Sequence, residues 1–251
     1  MKPVKSVFIK KYSELDLYII AFNNADLVFN QIFFLKKNLK DNYRLIIIDN
    51  SNNYSKSQEI ENICIKNKTS YVKLPENKLK SSYSHALSLN YTMKNIISKQ
   101  KTKYIWFLDH DCFMIKPISI IKILKEQKLY WTLMDTVSLN IFWHTFNMSW
   151  KRWIIWPWCA FYDKELFHRW FNFFPDKQII PISFLDTGWW NRKYIYKNYE
   201  KWKLNLLKHK PDTKIKWAEN FWNIFIHLYW AGYRDNSSIN KMCKALRKYY
   251  A

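Results

Sequence analysis

An α/β fold, with a mostly parallel central sheet flanked by helices and a mixed, aromatic-rich C-terminal half, is predicted by three observations. Through the first 110 residues short apolar runs alternate with longer amphipathic stretches. Hydrophobic residues make up 49% of the chain and aromatic residues 19%, ample for the core of one 251-residue domain. Three of the apolar runs stop abruptly at Asn or Asp, as strands do when they feed turns at one edge of a sheet.

Residues 17–22 (LYIIAF) read as a buried strand, and Asn23, Asn24, Ala25 and Asp26 as a turn and helix cap before a helix over residues 27–37. Residues 44–48 (RLIII) form the second strand, stopped by Asp49 and Asn50, and a helix follows over 55–66. Residues 71–74 are a short third strand ahead of Pro75. From Ser84 a helix of about fifteen residues sets Ala86, Leu89, Met93, Ile96 and Ile97 at core spacing. Residues 104–108 (YIWFL) are the most apolar strand and run into Asp109, His110 and Asp111. Thirteen of the fourteen tryptophans lie from Trp131 onward, where elements look shorter and less regular. With no linker or repeat between the halves, one domain is expected over residues 1–251. Its parts are a first half at 15–112, a second half at 113–235 and a basic tail at 236–251.

Charge and composition exclude much. Lys and Arg outnumber Asp and Glu by 41 to 20, a net +21 that favours an anionic partner. Lys, Ile, Asn, Tyr and Phe are all abundant, so part of that excess reflects compositional bias. The only glycines are Gly188 and Gly232, which rules out G-x-G-x-x-G, P-loop and G-x-S-x-G motifs. Cys64, Cys112, Cys159 and Cys243 are far apart, so a zinc ribbon or disulfide framework is unsupported and a reducing, cytosolic setting fits best. No run reaches the ~18 apolar residues of a membrane span, and the lysine-rich start lacks a signal peptide's apolar block.

Asp109 and Asp111 are one residue apart. In extended backbone alternate side chains share a face, so both carboxylates can approach one cation, or a cation and a ribose. With twelve aspartates such a pair arises readily by chance. Its position straight after a buried strand is what gives it weight, because paired acids there need a positive partner.

Four segments in order, residues 18–26 (YIIAFNNAD), 45–51 (LIIIDNS), 84–90 (SHALSLN) and 104–111 (YIWFLDHD), resemble the nucleotide-sugar half of GT-A glycosyltransferases, which is Rossmann-like, and especially of family-2-like members. The resemblance covers about residues 15–115. It implies a donor site in which Ala21, Phe22, Asn23 and Asp49 hold the nucleoside, Ser84 and His85 flank it, Asp109 faces the ribose, and Asp111 binds a divalent metal bridging the diphosphate. Asn50 stands where such enzymes often carry a second acid, which leaves the base open, with a UDP-sugar favoured. Lys78 and Lys80 replace the usual small-residue loop. Residues 225–234 look like the late histidine segment with which some GT-A enzymes complete the metal site, which makes His227 a second ligand of Mn²⁺ or Mg²⁺; a core histidine on an aromatic helix is the alternative.

Inverting transfer needs a base for the acceptor hydroxyl. Asp186 is preferred, because Gly188 follows it closely in a glycine-poor chain and Trp189 and Trp190 follow that; a helix N-cap would look the same. Asp163 and Glu165 are held in reserve. Trp158, Trp189 and Trp190 are the expected acceptor platform, although most of the tryptophans suit a core. Trp143, Trp150 and Trp153 with Lys151 and Arg152, and the stretch with Lys241, Lys244, Arg247 and Lys248, fit a bilayer interface.

The expectation is a metal-dependent, inverting, cytoplasmic glycosyltransferase, resting on the inner face of a membrane and acting on a glycan or lipid-linked acceptor in surface polysaccharide or lipooligosaccharide synthesis. The alternatives are a basic nucleic-acid-binding protein, disfavoured by acids at the strand ends, and a GT-A protein that binds glycans without catalysis.

Overall fold

The computed structural model of the chain describes residues 5–7, 13–79, 81–126, 129–134, 137–141, 144–148, 152–166, 172–173, 205–207, 209–228 and 235–251. The order is β1 (Lys5–Val7), β2 (Leu15–Ala21), α1 (Ala25–Asn38), β3 (Tyr43–Asp49), α2 (Tyr54–Lys66), β4 (Ser70–Lys73), α3 (Ser81–Asn95), β5 (Tyr104–Asp109), β6 (Cys112–Met114) and α4 (Ile120–Glu126). There follow β7 (Leu129–Met134), β8 (Val137–Ile141), β9 (His144–Met148), β10 (Arg152–Asp163), β11 (Asn205–Leu207), β12 (His209–Pro211), β13 (Ala218–Phe221), β14 (Phe225–Leu228) and α5 (Asn236–Tyr250).

Alternation along β2 sends Leu15, Leu17, Ile19 and Ala21 into one core cluster, with α1 and α2, and Tyr18 and Ile20 into another, with α3. A strand apolar on both faces belongs inside a sheet. Accordingly β2 pairs in parallel with β3 on one side and β5 on the other. The eight-stranded sheet runs β1-β4-β3-β2-β5-β10-β7-β11, and four of its seven pairings are parallel. A second sheet runs β12-β13-β14-β6, and β8 and β9 form a hairpin. The expected α/β class stands, and each first-half element falls within a few residues of its predicted place.

Local chemistry sets the elements' ends. Asn24 caps α1 by accepting the Leu27 N–H at 2.9 Å, Asp26 sits in the first turn, and Lys36 and Lys37 close the last, in keeping with the helix dipole. At the opposite end of the sheet from the strand termini, the fully buried Asp16 takes two hydrogen bonds from Arg44, at 3.0 and 2.5 Å. It also accepts from Ser13, Tyr18 and Thr102. That network ties β2 and β3 to the segment leading into β5.

The two halves share a core. The Trp106 ring meets Phe161 and Phe225 edge-on, with centroids 6.0 and 5.7 Å apart. Strand β10 joins the parallel sheet beside β5, with Cys159 opposite Leu108 and Asp163 opposite Tyr104. All four cysteines are free and buried. Among the described residues no helix is long and apolar enough to cross a membrane.

Candidate active site

The parallel strands β2, β3 and β5 end side by side, at Ala21, Asp49 and Asp109. The Asn50 N–H donates to the Ala21 carbonyl at 2.9 Å, and the Asn50 amide donates to Ser84 Oγ at 2.8 Å and accepts from Asn77. Asn23 adopts φ 49°, a left-handed conformation that Asn tolerates. Its N–H donates to Ser51 Oγ at 2.8 Å, and its side chain joins Asn52 and the Asn53 N–H. Phe22 is left 37% exposed at the strand end. Ala21, Phe22, Asn23, Asn50, Ser84, His85 and Asp109 therefore gather at one lip of the sheet, the sequence having spread them over almost ninety residues.

Asp49 departs from its expected place. It is fully buried, and protein groups take up its carboxylate: the Ser51 N–H at 2.9 Å, the Tyr71 hydroxyl at 2.7 Å and the Ser57 hydroxyl, with Lys73 Nζ 3.7 Å away. A carboxylate so consumed shapes the loop behind the lip and does not meet a nucleoside.

The two acids of the D-x-D are not on one extended face. Asp109 ends β5, residues 110 and 111 turn, and Cys112 begins β6 in the second sheet. Each acid meets its own histidine. His85 Nε2 lies 3.1 Å from Asp109 Oδ1, and His227 Nε2 lies 3.5 Å from Asp111 Oδ1, with about 28% and 14% of the respective aspartate side chains exposed. His227 sits on β14, a strand and not the aromatic helix of the alternative reading. It pairs with Cys112, and the Leu228 N–H donates to the Asp111 carbonyl at 2.8 Å. The other ring nitrogen, Nδ1, faces Glu219 Oε2 at 3.8 Å.

Two supporting residues escaped the sequence reading. His110 Nδ1 accepts the Phe22 N–H at 3.1 Å and lies 3.2 Å from the Ile20 carbonyl, clipping the turn to the end of β2. Gln31, buried in α1, donates to the Asp109 carbonyl at 2.5 Å and to the Cys112 carbonyl, bracing both ends of the turn. His110 reaches back across the turn to the end of β2, a contact 88 residues away that no local pattern announces. Nothing local marks Gln31.

Electrostatics bind the Asp111–His227 pair. Burial alone would lower the imidazole's pKa, but the Asp111 and Glu219 carboxylates more than offset it and raise it to about 10. For Asp111 burial acts upward and His227 overrides it, leaving the carboxyl below its usual range. Without a metal the ring is therefore protonated; once a cation displaces that proton, a carboxylate oxygen and an imidazole nitrogen are donors that suit Mn²⁺. Their 3.5 Å separation is close to the ~3 Å between adjacent ligands of an octahedral ion bound at ~2.1 Å. Among the described residues no three His, Cys, Asp or Glu side chains gather about one point.

The reserve bases fall elsewhere. Asp163 is buried opposite Tyr104, at the start of β5, roughly 17 Å of strand from Asp109. It accepts the Glu165 N–H at 3.0 Å, so both reserve bases stand at the wrong end of the sheet. Trp158 has its backbone in β10 just before Cys159, which pairs with Leu108, and so lies at the Asp109 end of β5. Asp186, Trp189 and Trp190 lie outside the described residues.

The mannosyltransferase PcManGT from Pyrobaculum calidifontis, in complex with GDP-Man and Mn²⁺, is similar at 11% identity and a TM-score of 0.42, over 62% of this chain and 46% of its own. Core-mannan synthase A from Aspergillus fumigatus, in its Mn/GDP form, is 12% identical with a TM-score of 0.40, over 62% and 60%. The mannosyltransferase Ktr4p from S. cerevisiae is 10% identical with a TM-score of 0.37, over 61% and 57%. The chain thus spans 46 to 60% of the length of these structures. No curated protein matches it. The profile of the glycosyltransferase-like family 2 matches residues 18–144, half of the sequence and all of the strand ends described above, and the chain belongs to that family.

Proposed function

We propose that the protein transfers a sugar from a nucleoside diphosphate, a UDP-sugar in the first instance, to a glycan or lipid-linked acceptor of surface polysaccharide or lipooligosaccharide synthesis, with inversion. The observation that carries this reading is the approach of His227, on β14, to Asp111, 116 residues earlier in the turn that ends the parallel strand β5.

Phe22, Asn23, Asn50 and Ser84 form the nucleoside side of the site. Asp109, oriented by His85, accepts from the ribose hydroxyls. Asp111 and His227 would hold a divalent cation, Mn²⁺ or Mg²⁺, beside the diphosphate. Such a cation, when bound, neutralises the charge that develops on the departing diphosphate. Gln31 and His110 fix the turn so that both carboxylates keep their aim without reorganising as charge builds. Asp186 takes the proton of the acceptor hydroxyl, and Trp158, Trp189 and Trp190 offer apolar faces to the acceptor sugar.

Calorimetric titration with UDP and GDP, with and without Mn²⁺, tests the reading. The wild type binds a nucleoside diphosphate about tenfold or more tighter with Mn²⁺, and Asp111→Asn, still folded by circular dichroism, loses that gain. Asp186→Asn keeps donor binding and loses transfer. Metal-independent binding, or normal turnover by Asp111→Asn, refutes the metal assignment.

A further inference from the structure

Helix α5 turns Ile239, Met242, Cys243 and Leu246 inward, at i, i+3, i+4, i+7 spacing, onto Leu27, Phe34, Phe113 and Ile226. Its exposed side carries Lys241, Lys244, Arg247 and Lys248. Beside it α1 exposes two large rings, Phe29 at 39% and Phe33 at 38%, one turn apart. The same exposed stripe continues through Lys36 and Lys37. The Arg247 guanidinium lies 5.9 Å from the Phe29 ring centroid and joins the two outer faces into one. Phe29, Phe33, Lys36, Lys37 and Asn67 line a shallow groove of about 350 Å³. Acids hardly oppose this charge: Glu59 and Glu61 of α2 are paired with Lys56 and Lys5, and Asp26 is confined to the first turn of α1.

Two exposed phenylalanines flanked by Lys36, Lys37 and Arg247, next to a helix that also exposes Lys241, Lys244 and Lys248, form a surface with two separate complementarities. The rings favour an apolar phase, and the cations favour a dense array of negative charge immediately around it. An anionic bilayer supplies both at once, acyl chains under a layer of acidic headgroups, whereas a polyanion in water satisfies only the charges.

We propose that the α1–α5 face docks the protein onto an anionic lipid bilayer, with Phe29 and Phe33 entering the headgroup boundary and Lys36, Lys37, Lys241, Lys244, Arg247 and Lys248 contacting the headgroups. The inference goes beyond the transfer reading and does not depend on it. Since α1 begins directly after Asn24, docking on this face also holds the sugar-transfer site beside the membrane.

Phosphatidylcholine vesicles containing about 30% phosphatidylserine, with pure phosphatidylcholine as control, provide the test in the absence of donor and metal. Each cation near such a surface contributes roughly fivefold in partitioning, so K36Q/K37Q/K244Q/R247Q lowers binding by roughly 600-fold. Burying two rings contributes at least about tenfold, so F29S/F33S loses that much with its charge intact. Because the native cysteines are all buried, Phe33→Cys accepts a single environment-sensitive fluorophore, whose emission shifts to the blue on acidic vesicles only. Equal binding of both vesicle types, vesicle binding unaffected by F29S/F33S, or a label that stays in water while the protein is bound overturns the proposal. Equally tight binding of an oligonucleotide or of polyglutamate, insensitive to F29S/F33S, also overturns it and assigns the face to a soluble polyanion. The singly labelled variant decides the matter even if the multiple variants fold poorly.

Discussion

Asp49→Asn separates a residue that touches the donor from one that builds the loop behind it. In the native structure one carboxylate oxygen accepts the Ser51 N–H and the other accepts the hydroxyls of Tyr71 and Ser57, all in a fully buried site. The amide of Asn keeps a carbonyl for Ser51 but turns a donor toward two hydroxyls that now have to rotate, and the attraction of Lys73, 3.7 Å away, disappears. Hydrogen bonds to a charged group are worth about 1.5–3 kcal/mol each, and one is retained in weaker, neutral form while two must be remade, so the net loss is about 3 kcal/mol. For a chain of this size that lowers the melting temperature by roughly 6–12 °C. Thermal and urea unfolding of wild type and variant give this number directly, and calorimetric titration with a nucleoside diphosphate gives the affinity alongside. Because Asn50 and Ser51 connect to Ser84 and Asn23, affinity falls too, but as a consequence of a loosened loop. A melting temperature unchanged within a degree or two, with donor binding abolished, would show that Asp49 meets the ligand and that its burial has been misjudged.

Two further outcomes concern stability. Arg44→Met strands the buried Asp16 carboxylate with hydroxyl partners alone and costs about 3–5 kcal/mol, yet leaves nucleoside diphosphate affinity unaltered, since Asp16 and the site stand at opposite ends of β2; restoration of stability by Arg44→Met/Asp16→Leu checks the cause, and a stable single variant refutes it. Asp212 is partly buried, which acts to raise its pKa, but the Tyr250 hydroxyl at 2.6 Å and the N–H groups of Lys214 and Ile215 hold the carboxyl below its unfolded range. Its contribution is present above the unfolded pKa of about 3.9 and fades as pH falls toward the folded value, so the gap in urea midpoint between wild type and Asp212→Asn narrows from pH 5 to pH 3; a constant gap refutes the linkage.

What the sequence disclosed, and what it hid, follows from the range of the interactions involved. Strand β2 was legible because its apolar run and its Asn23–Asn24 stop are local properties, and the same holds for α1 and its cap. Asp49 misled because an acid at a strand end looks alike whether it faces solvent or is sealed by a tyrosine 22 residues away. Asp163 misled for the converse reason: only the antiparallel register of β10 against β5 reveals that it lies opposite Tyr104 and far from Asp109. The stretch around His227 carries aromatic residues on every side, so neither the period of a helix nor that of a strand stands out. Its strand is decided by pairing with β6 and β13, two partners it cannot announce locally. Gln31 makes its two hydrogen bonds 78 and 81 residues away, and a lone glutamine within a helix gives no warning of that.

The position of the D-x-D turn gives it a property that neither sheet would supply alone. Asp109 is the last residue of a strand in the large sheet, and three residues later the chain is already paired in the small one. Each acid is accordingly met by a histidine carried on the sheet it belongs to: His85 comes from α3, packed on the large sheet, and His227 from β14 of the small sheet. The distance between the two carboxylates is thus set by how the sheets abut, and what fixes that is the packing of Trp106 against Phe225 together with the grip of Gln31 on both sides of the turn. Each carboxylate is thereby held against its own histidine by the shared core, a constraint that a flexible loop bearing the same three residues would lack. Preorganisation of this kind is what lets an active site stabilise developing charge without first moving its own dipoles. It also explains why the strand that carries His227 is otherwise built of Phe225, Ile226 and Leu228, all buried: their burial sets the position of His227.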